Sequence, residues 1–503
     1  MRRVGALACL FVALAIGGST GLHAQESAPP APILPSSPQA WEDAAARDVK
    51  ATYSLIRDNH PGMVDQATPG FERQLIRARD EALVLARRVT TPMGYDAAIA
   101  AFGNALQDGH AGANVILPQA LRPARQWPGF VPSWRGKRML VHFSDEANAP
   151  RGSEILSCDG TAIASLTRRN VFRFRGRASE PGNWWVQARN VLVDSGNPFV
   201  KRPANCRLRQ DGRTWTVPLR WRPEEGKQFA DWRTASYNGA SLPIGMTNPA
   251  SAITWIAMPD FEPDADGVAA YQRMNDALVK QRGAILQSRA IVLDLRSNQG
   301  GSSSWSRDIA KHLWGRNAVN VRMGHYFART SIVWRASAGN EAHVRAAAPS
   351  IRAAGFDDVA KQWLDLADQM AFARSKGRVT IDEAIEGAGT ALPPIPPSDL
   401  TLPVYVIVPG QCASACLDAV DVFTQFSNTR LIGAPSSGDS KFMEVRGEKL
   451  LSGLASVTIP NKMWVNRPRG HGAGYRPAIE VLDLDWSTED FLRVIEADLA
   501  EKK

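Results

Sequence analysis

The chain has 503 residues, and domains usually run to roughly 100–200 residues, so a single small core is excluded and two or three packed units are expected. Apolar residues make up 44% and charged residues 22%, ordinary globular values that exclude a fibrous or wholly disordered chain. The formal charge is +9, but it is spread thinly, without a Lys/Arg run or a nucleic-acid motif, so it reflects solubility or attraction to acidic surfaces and implies no nucleic-acid partner.

At the N-terminus, Arg2 and Arg3 precede an apolar stretch from Val4 to Ile16, then small residues and Leu22-His23-Ala24. That layout predicts a secretory signal peptide over 1–24 and export across the inner membrane, with a periplasmic location expected for the mature chain. Beyond it no stretch approaches the ~18 unbroken apolar residues of a membrane span, so the mature chain is expected to lack an integral membrane segment. Cys9 leaves with the signal, and Cys158, Cys206, Cys412 and Cys416 remain. Four cysteines in an oxidising compartment allow three pairings, of which Cys158 with Cys206 is the preferred one.

Residues 25–39, rich in Pro, Ser and Ala, read as a disordered leader. Helical spacing of Ala45, Val49, Tyr53 and Ile56 predicts a helix that stops at His60-Pro61-Gly62, and helical text resumes over 71–106. A helical N-terminal unit over 40–116 follows. From 117 to 225 short strand-like runs separated by turns, among them 139–143 and 214–219, predict a small β-rich module, in which Trp184 and Trp185 serve as core, lid or ligand platform. From 226 to 503 strands at 253–258, 290–295 and 404–408 alternate with helices, predicting a largely parallel layered sheet. Residues 340–387 look helical and have no place in that alternation, so they read as an insertion able to cover a site.

Two strand-to-helix junctions carry the chemistry. In Asp294-Leu295-Arg296-Ser297-Asn298-Gln299-Gly300-Gly301 the paired glycines allow a sharp turn with outward-pointing N–H groups, suited to an oxyanion. In Pro409-Gly410-Gln411-Cys412-Ala413-Ser414-Ala415-Cys416 a serine among small residues opens a helix, with the Ala415 N–H beside it as a second donor. Taken alone, Ser414 reads more readily as a helix N-cap than as a nucleophile. The Cys412/Cys416 spacing raises a metal or redox reading, yet further His or Cys ligands at recognisable spacing are missing.

Together these motifs resemble the tail-specific, C-terminal-processing serine peptidases, and within them the branch of the tricorn core and the retinoid-binding repeats. The similar text is His60-Pro61-Gly62, Asp108-Gly109-His110, the β-rich insert, the Asp294–Gly301 motif, Ala413-Ser414-Ala415, Gly433-Ala434-Pro435-Ser436-Ser437-Gly438 and Pro477-Ala478-Ile479-Glu480-Val481, in family order from about residue 50. The resemblance implies a crotonase- or Clp-like α/β sandwich, a PDZ-like module and a helical N-terminal unit. It also implies peptide-bond hydrolysis through an acyl-enzyme on Ser414, with Gly300, Gly301 and Ala415 as oxyanion donors, a polypeptide substrate, and no metal or organic cofactor.

The general base departs from the family pattern. The Ser/Lys branch places its lysine 25 residues after the serine, where this chain has Asp439, and Lys441 lies two residues farther. The tricorn-like branch uses a histidine matched here by His110, the preferred base, since a neutral imidazole can take the serine proton near neutral pH. That branch's late glutamate is absent from Trp464-Val465-Asn466-Arg467, leaving Glu444 or Asp439 to supply a carboxylate. Arg467, Arg469 and His471 form a basic cluster, read as a solvated loop or a site for a substrate carboxylate. Two other functions use the same scaffold: a catalytically silent protein that binds peptides or a lipophilic ligand, and a hydrolase for a non-peptide ester. Oligomeric state is not legible in the sequence.

Overall fold

The computed structural model describes residues 34–239, 241–383 and 392–501. The expected signal peptide, most of the leader, and 384–387 of the expected insertion lie outside the described residues.

Ser37 accepts the Ala40 N–H and starts the helix Pro38–Asn59, which ends where Pro61 follows the His60 cap. The helical text that follows divides into Phe71–Ala86 and Pro92–Ala105, the second opened by a Thr91 cap and Pro92. Val49, Ile56, Leu75, Ala82, Tyr95 and Phe102 are buried together with Val457 and Ile459 of the strand Ala455–Val465. The N-terminal helices thus share a core with a sheet formed near the end of the chain.

The β-rich module is an antiparallel sheet in the order Phe130–Arg135, Arg138–Ser144, Glu154–Cys158, Asn205–Gln210, Arg213–Pro218. Cys158 and Cys206 face each other across two of these strands and are disulfide-bonded, as preferred from the sequence. Trp184 and Trp185 are core: Trp184 packs on Trp134 and Phe172, and Trp185 packs on Trp486. No ligand platform is left at either ring.

The α/β portion is built on a six-stranded sheet in the order Gly245–Ala250, Ile253–Ala257, Ala290–Asp294, Val404–Val408, Thr429–Gly433, Ile479–Glu480. All neighbours but the first pair are parallel, and the three middle strands are buried on both faces, as crossover helices demand. Trp255, Val292, Tyr405 and Ile407 point to the side of the β-rich module. Ile256, Leu293, Val406 and Val408 point to the helices Ala265–Lys280, Ser304–Trp314 and Ala415–Phe423. Period-two alternation therefore fills two cores from one set of strands.

A second sheet, not anticipated from the sequence, runs Gly112–Val115, Ala455–Val465, Ser331–Arg335, Thr380–Glu383, with Phe442–Lys449 on Ala455–Val465. The stretch read as a helical insertion consists of the helices Ala338–Ala353 and Asp357–Ser375 and one strand of this sheet. Ser337 and Asn340 tie it to Asn59 at the end of the first helix.

Candidate active site

Ala290–Asp294 and Val404–Val408 are parallel neighbours in register, so the two glycine- and serine-bearing turns leave the same edge of the sheet side by side, where open α/β sheets form their sites. Asp294 anchors the first turn through a buried ion pair with Arg296, while Trp255 Nε1 donates to the same carboxylate. Arg296 reaches on to the Trp486 carbonyl and Thr488. Asn298 donates to the Met258 carbonyl at 2.8 Å and accepts the Gly300 N–H at 2.9 Å. This side chain shapes the glycine turn, and it occupies the Gly300 N–H that the sequence had offered to an oxyanion.

Gly300 and Gly301 sit at φ 119° and 125°, a region that favours glycine. A Cβ on Gly300 would stand 2.9 Å from the Ala413 oxygen, 3.0 Å from Ser414 Cβ and 3.3 Å from the Ala415 nitrogen. The glycine turn and the serine turn are thus in van der Waals contact. Among the described residues the Gly301 and Ala415 N–H groups have no hydrogen-bond acceptor, and that of Ala415 is one of the open donors at a helix start.

Ser414 has φ 53° and ψ −126°, a strained conformation for a residue with a Cβ, and its side chain does not cap the helix it precedes. The N-cap alternative is thereby removed. The residue is partly exposed, and Oγ has no hydrogen bond among the described residues, neither to His110 nor to Lys441. Cys412 and Cys416 on either side of it are disulfide-bonded to each other.

The His110 ring is 27% exposed, and its Nδ1 lies 2.6 Å from the carbonyl oxygen of Phe442. A carbonyl only accepts, so Nδ1 carries the proton and the neutral ring keeps its lone pair on Nε2. Nε2 in turn stands 4.0 Å from Oδ1 of Asp439. The His110 main chain is held from below, its N–H donating to Asp108 Oδ1, while Asp108 Oδ2 bonds to Nε2 of the fully buried His60. Nδ1 of His60 accepts the Gly62 N–H, so its other nitrogen is the donor to Asp108. Burial by itself would raise the Asp108 pKa, but hydrogen bonds from His60 and Ser440 and the nearby imidazoles outweigh it and draw it down to about 2. Burial lowers that of His60.

The loop 436–439 touches the serine turn at one end and faces His110 at the other. Ser437 Oγ donates to the Gly410 carbonyl, four residues before Ser414, and Gly438 N–H donates to Glu180, which pairs with Arg177. Asp439 is gripped by Arg469 at 3.0 Å and Arg467 at 3.7 Å. The same two guanidinium groups hold Asp418 and Asp421 on the helix that Ser414 begins.

That network corrects the reading of the basic cluster. Arg467 and Arg469 are 7% and 4% exposed and are satisfied by three aspartates, so they are neither a solvated loop nor open to a substrate carboxylate. Only His471 is exposed. Lys441 is likewise engaged elsewhere, its Nζ lying 2.5 Å from the buried Asp65 carboxylate. Glu444 faces Lys462 at 3.5 Å and makes no contact with His110. Of the named residues, the structure gathers Ser414, Gly300, Gly301 and Ala415, sets His110 against Asp439 of the 436–439 loop, and engages Lys441 and Glu444 elsewhere.

Sequence reasoning missed Asn298 as the holder of Gly300 and Asp418 and Asp421 as partners of the arginines. The i, i+3 spacing of two aspartates in an otherwise apolar helix was a usable signal for the latter. Among the described residues no cluster of three or more His, Cys, Asp or Glu side chains is arranged to hold a metal ion. A cavity of about 290 Å³ opens beside His110, lined by Asn104, Gln107, Asn114, Phe174 and Arg177.

A parallel sheet with a strained serine at its carboxyl edge, backed by a glycine turn, defines a mixed α/β hydrolase-type scaffold. Residues 252–480 match the model of peptidase family S41, and over that stretch the chain is similar to the tail-specific and C-terminal-processing peptidases. The match covers both junction turns and the 436–439 loop. Mature CPAF solved with lactacystin is similar in structure, with a TM-score of 0.61 at 15% identity over 92% of this chain and 99% of that one. A second structure of mature CPAF gives 0.60 at 14% identity over 91% and 96%. At these identities the likeness concerns the fold. No curated protein matches the chain in sequence.

Proposed function

We propose that the protein is an exported serine endopeptidase that cleaves polypeptides through an acyl-enzyme on Ser414. The observation that carries this reading is the contact between the Gly300 turn and a Ser414 held at positive φ with an uncapped hydroxyl. Strain of this kind, roughly 1–3 kcal/mol, persists where the surrounding structure enforces it and is concentrated at working sites.

In this reading Ser414 Oγ attacks the scissile carbonyl carbon and its proton passes to Nε2 of His110. The developing oxyanion is met by the open N–H groups of Ala415 and Gly301. The tetrahedral intermediate collapses with transfer of that proton to the leaving amine, and water then repeats the sequence to release the acid. The Phe442 carbonyl holds the ring in the required tautomer, the task a carboxylate performs in the Ser-His-Asp arrangement, while Asp439 faces the ring nitrogen that becomes charged. The β-rich module is read as PDZ-like, presenting substrate as an added strand.

The missing hydrogen bond between Ser414 and His110 favours a second reading, a silent binding protein on the same scaffold, although such bonds are often long before substrate arrives. Incubating wild type and Ser414→Ala with an unfolded polypeptide separates the two. Cleavage by wild type alone supports the peptidase, whereas equal cleavage by both, or none by either over a range of pH and substrates, removes it.

A further inference from the structure

The Cys412–Cys416 disulfide encloses Ser414 in a five-residue covalent ring, and nothing in the family chemistry outlined above calls for a cross-link there. We propose that this disulfide is a positioning brace that keeps the Ser414 turn in its reactive conformation, an inference that rests on Ser414 being the nucleophile.

The turn has an obvious way to relax. Ser414 directly precedes the helix Ala415–Phe423, and serine at that position ordinarily adopts extended backbone and folds its hydroxyl onto the second or third helical N–H, here Cys416 or Leu417. Such a relaxation removes the positive φ and satisfies an open donor, but it also turns Oγ away from the glycine turn. Local hydrogen bonds hold the neighbours without fixing the serine side chain: Cys412 N–H donates to Pro409, Cys416 N–H to Ala413, and Asp418 N–H to the Ser414 carbonyl. Gly300 contributes contact and no side chain.

The disulfide ties the residue two before the serine to the residue two after it. With its sulfur bonded to Cys412 and its N–H to Ala413, Cys416 holds the first turn of the helix in place, so the serine turn cannot refold to bring the hydroxyl onto the open Leu417 N–H. Both cysteines are fully buried in the core with Val408, Leu417 and Val420, which anchors the ring against the sheet. Burial also makes this a permanent fixture and not a redox switch, because thiol reagents reach it only when the turn opens. A brace of this kind needs an oxidising compartment to form, in keeping with the expected export.

The test uses the mature full chain and two paired variants, Cys412→Ala/Cys416→Ala and Cys412→Ser/Cys416→Ser, each shown by thermal melting to be folded at the assay temperature. The rate of covalent labelling by a small fluorophosphonate reports the serine directly, and peptide kinetics report kcat and KM separately. The brace predicts a roughly ten- to hundred-fold loss in labelling rate and in kcat, with KM within about two-fold. It also predicts faster hydrogen exchange over 411–418 in both pairs and unchanged wild-type activity in millimolar thiol. Labelling and exchange at wild-type rates in both pairs overturn the brace. A wild type that resists the fluorophosphonate removes the nucleophile reading instead, and the exchange over 411–418 then decides the brace alone: faster in both pairs sustains it, unchanged overturns it.

Discussion

The ring of His110 is oriented by the main-chain carbonyl of Phe442, 2.6 Å from Nδ1 and 332 positions later in the chain. The proton is thereby assigned to Nδ1 and the lone pair to Nε2, on the side of Asp439. His110→Asn keeps a donor for the Phe442 carbonyl and removes the base. The expected outcome is a fall in kcat of about 10²–10⁴-fold with little change in melting temperature, in the usual range for a lost general base. Full activity in this variant ends the assignment.

Lys441 and Asp65 make the opposite case. Their ion pair is nearly buried, so Lys441→Met should destabilise the fold by about 3–5 kcal/mol by leaving a carboxylate unpaired. Turnover per folded molecule should stay within about three-fold of wild type, an estimate for a lysine outside the chemistry. Asp65→Asn in the same chain should recover most of the stability. Denaturant unfolding and active-site titration measure both, and a loss of turnover unrelieved by Asp65→Asn would return Lys441 to the role of base.

The glycine turn depends on Asn298 and on the absence of a side chain at Gly300. Gly300→Ala brings a methyl against Ala413 and Ser414 at a φ of 119°, and kcat should fall at least about a hundred-fold, as for a misplaced oxyanion donor. Asn298→Ala frees the Gly300 N–H but releases the turn from Met258; roughly a ten-fold loss in kcat is expected from the looser geometry. Steady-state kinetics on one peptide substrate tests both, and a more active Asn298→Ala would show that Gly300 is the better donor.

Acid stability should report the His60–Asp108 pair. His60 has a lowered folded pKa because burial disfavours its charge, so the unfolded chain binds the proton more readily. Its contribution is complete above the unfolded value near 6.5 and is lost as pH falls below it. Asp108 is held at about 2, and its contribution is complete above the unfolded value near 3.9 and is lost between there and about 2. Two stages of weakening are expected in denaturant midpoints taken from pH 8 downward. His60→Gln should shrink the upper stage without removing it, because burial also holds the His142 pKa down at about 4, and an unchanged slope in that variant would show that His60 does not contribute.

Much of the fold was legible because its signals are local. Apolar runs bounded by turns marked the three middle strands of the parallel sheet, and Val404–Val408 was placed to the residue. Pro61 marked the end of the first helix, but the caps at Ser37 and Thr91 went unread, and the helix begins at Pro38, inside the stretch read as a disordered leader. The second sheet was not legible, since Ala455–Val465 pairs with Gly112–Val115, over three hundred residues earlier, and alternation reveals a strand but not its partner. The basic cluster was misread for a related reason: the sequence shows Arg467 and Arg469 as charges in a Pro/Gly-rich stretch, and only packing against the Asp418 helix buries them.

The order of residues carries the chemistry on offer: a serine among small residues at a strand end, a glycine pair at another, a histidine in Asp-Gly-His, and two cysteines around the serine. Tertiary structure decided which of these meet. Parallel pairing of two strands laid the glycine turn on Ser414, and a carbonyl from a distant strand took hold of His110. The physical reason is that every residue carries a carbonyl and an N–H, so main-chain partners leave no mark in the sequence, and their placement follows from sheet register and core packing alone.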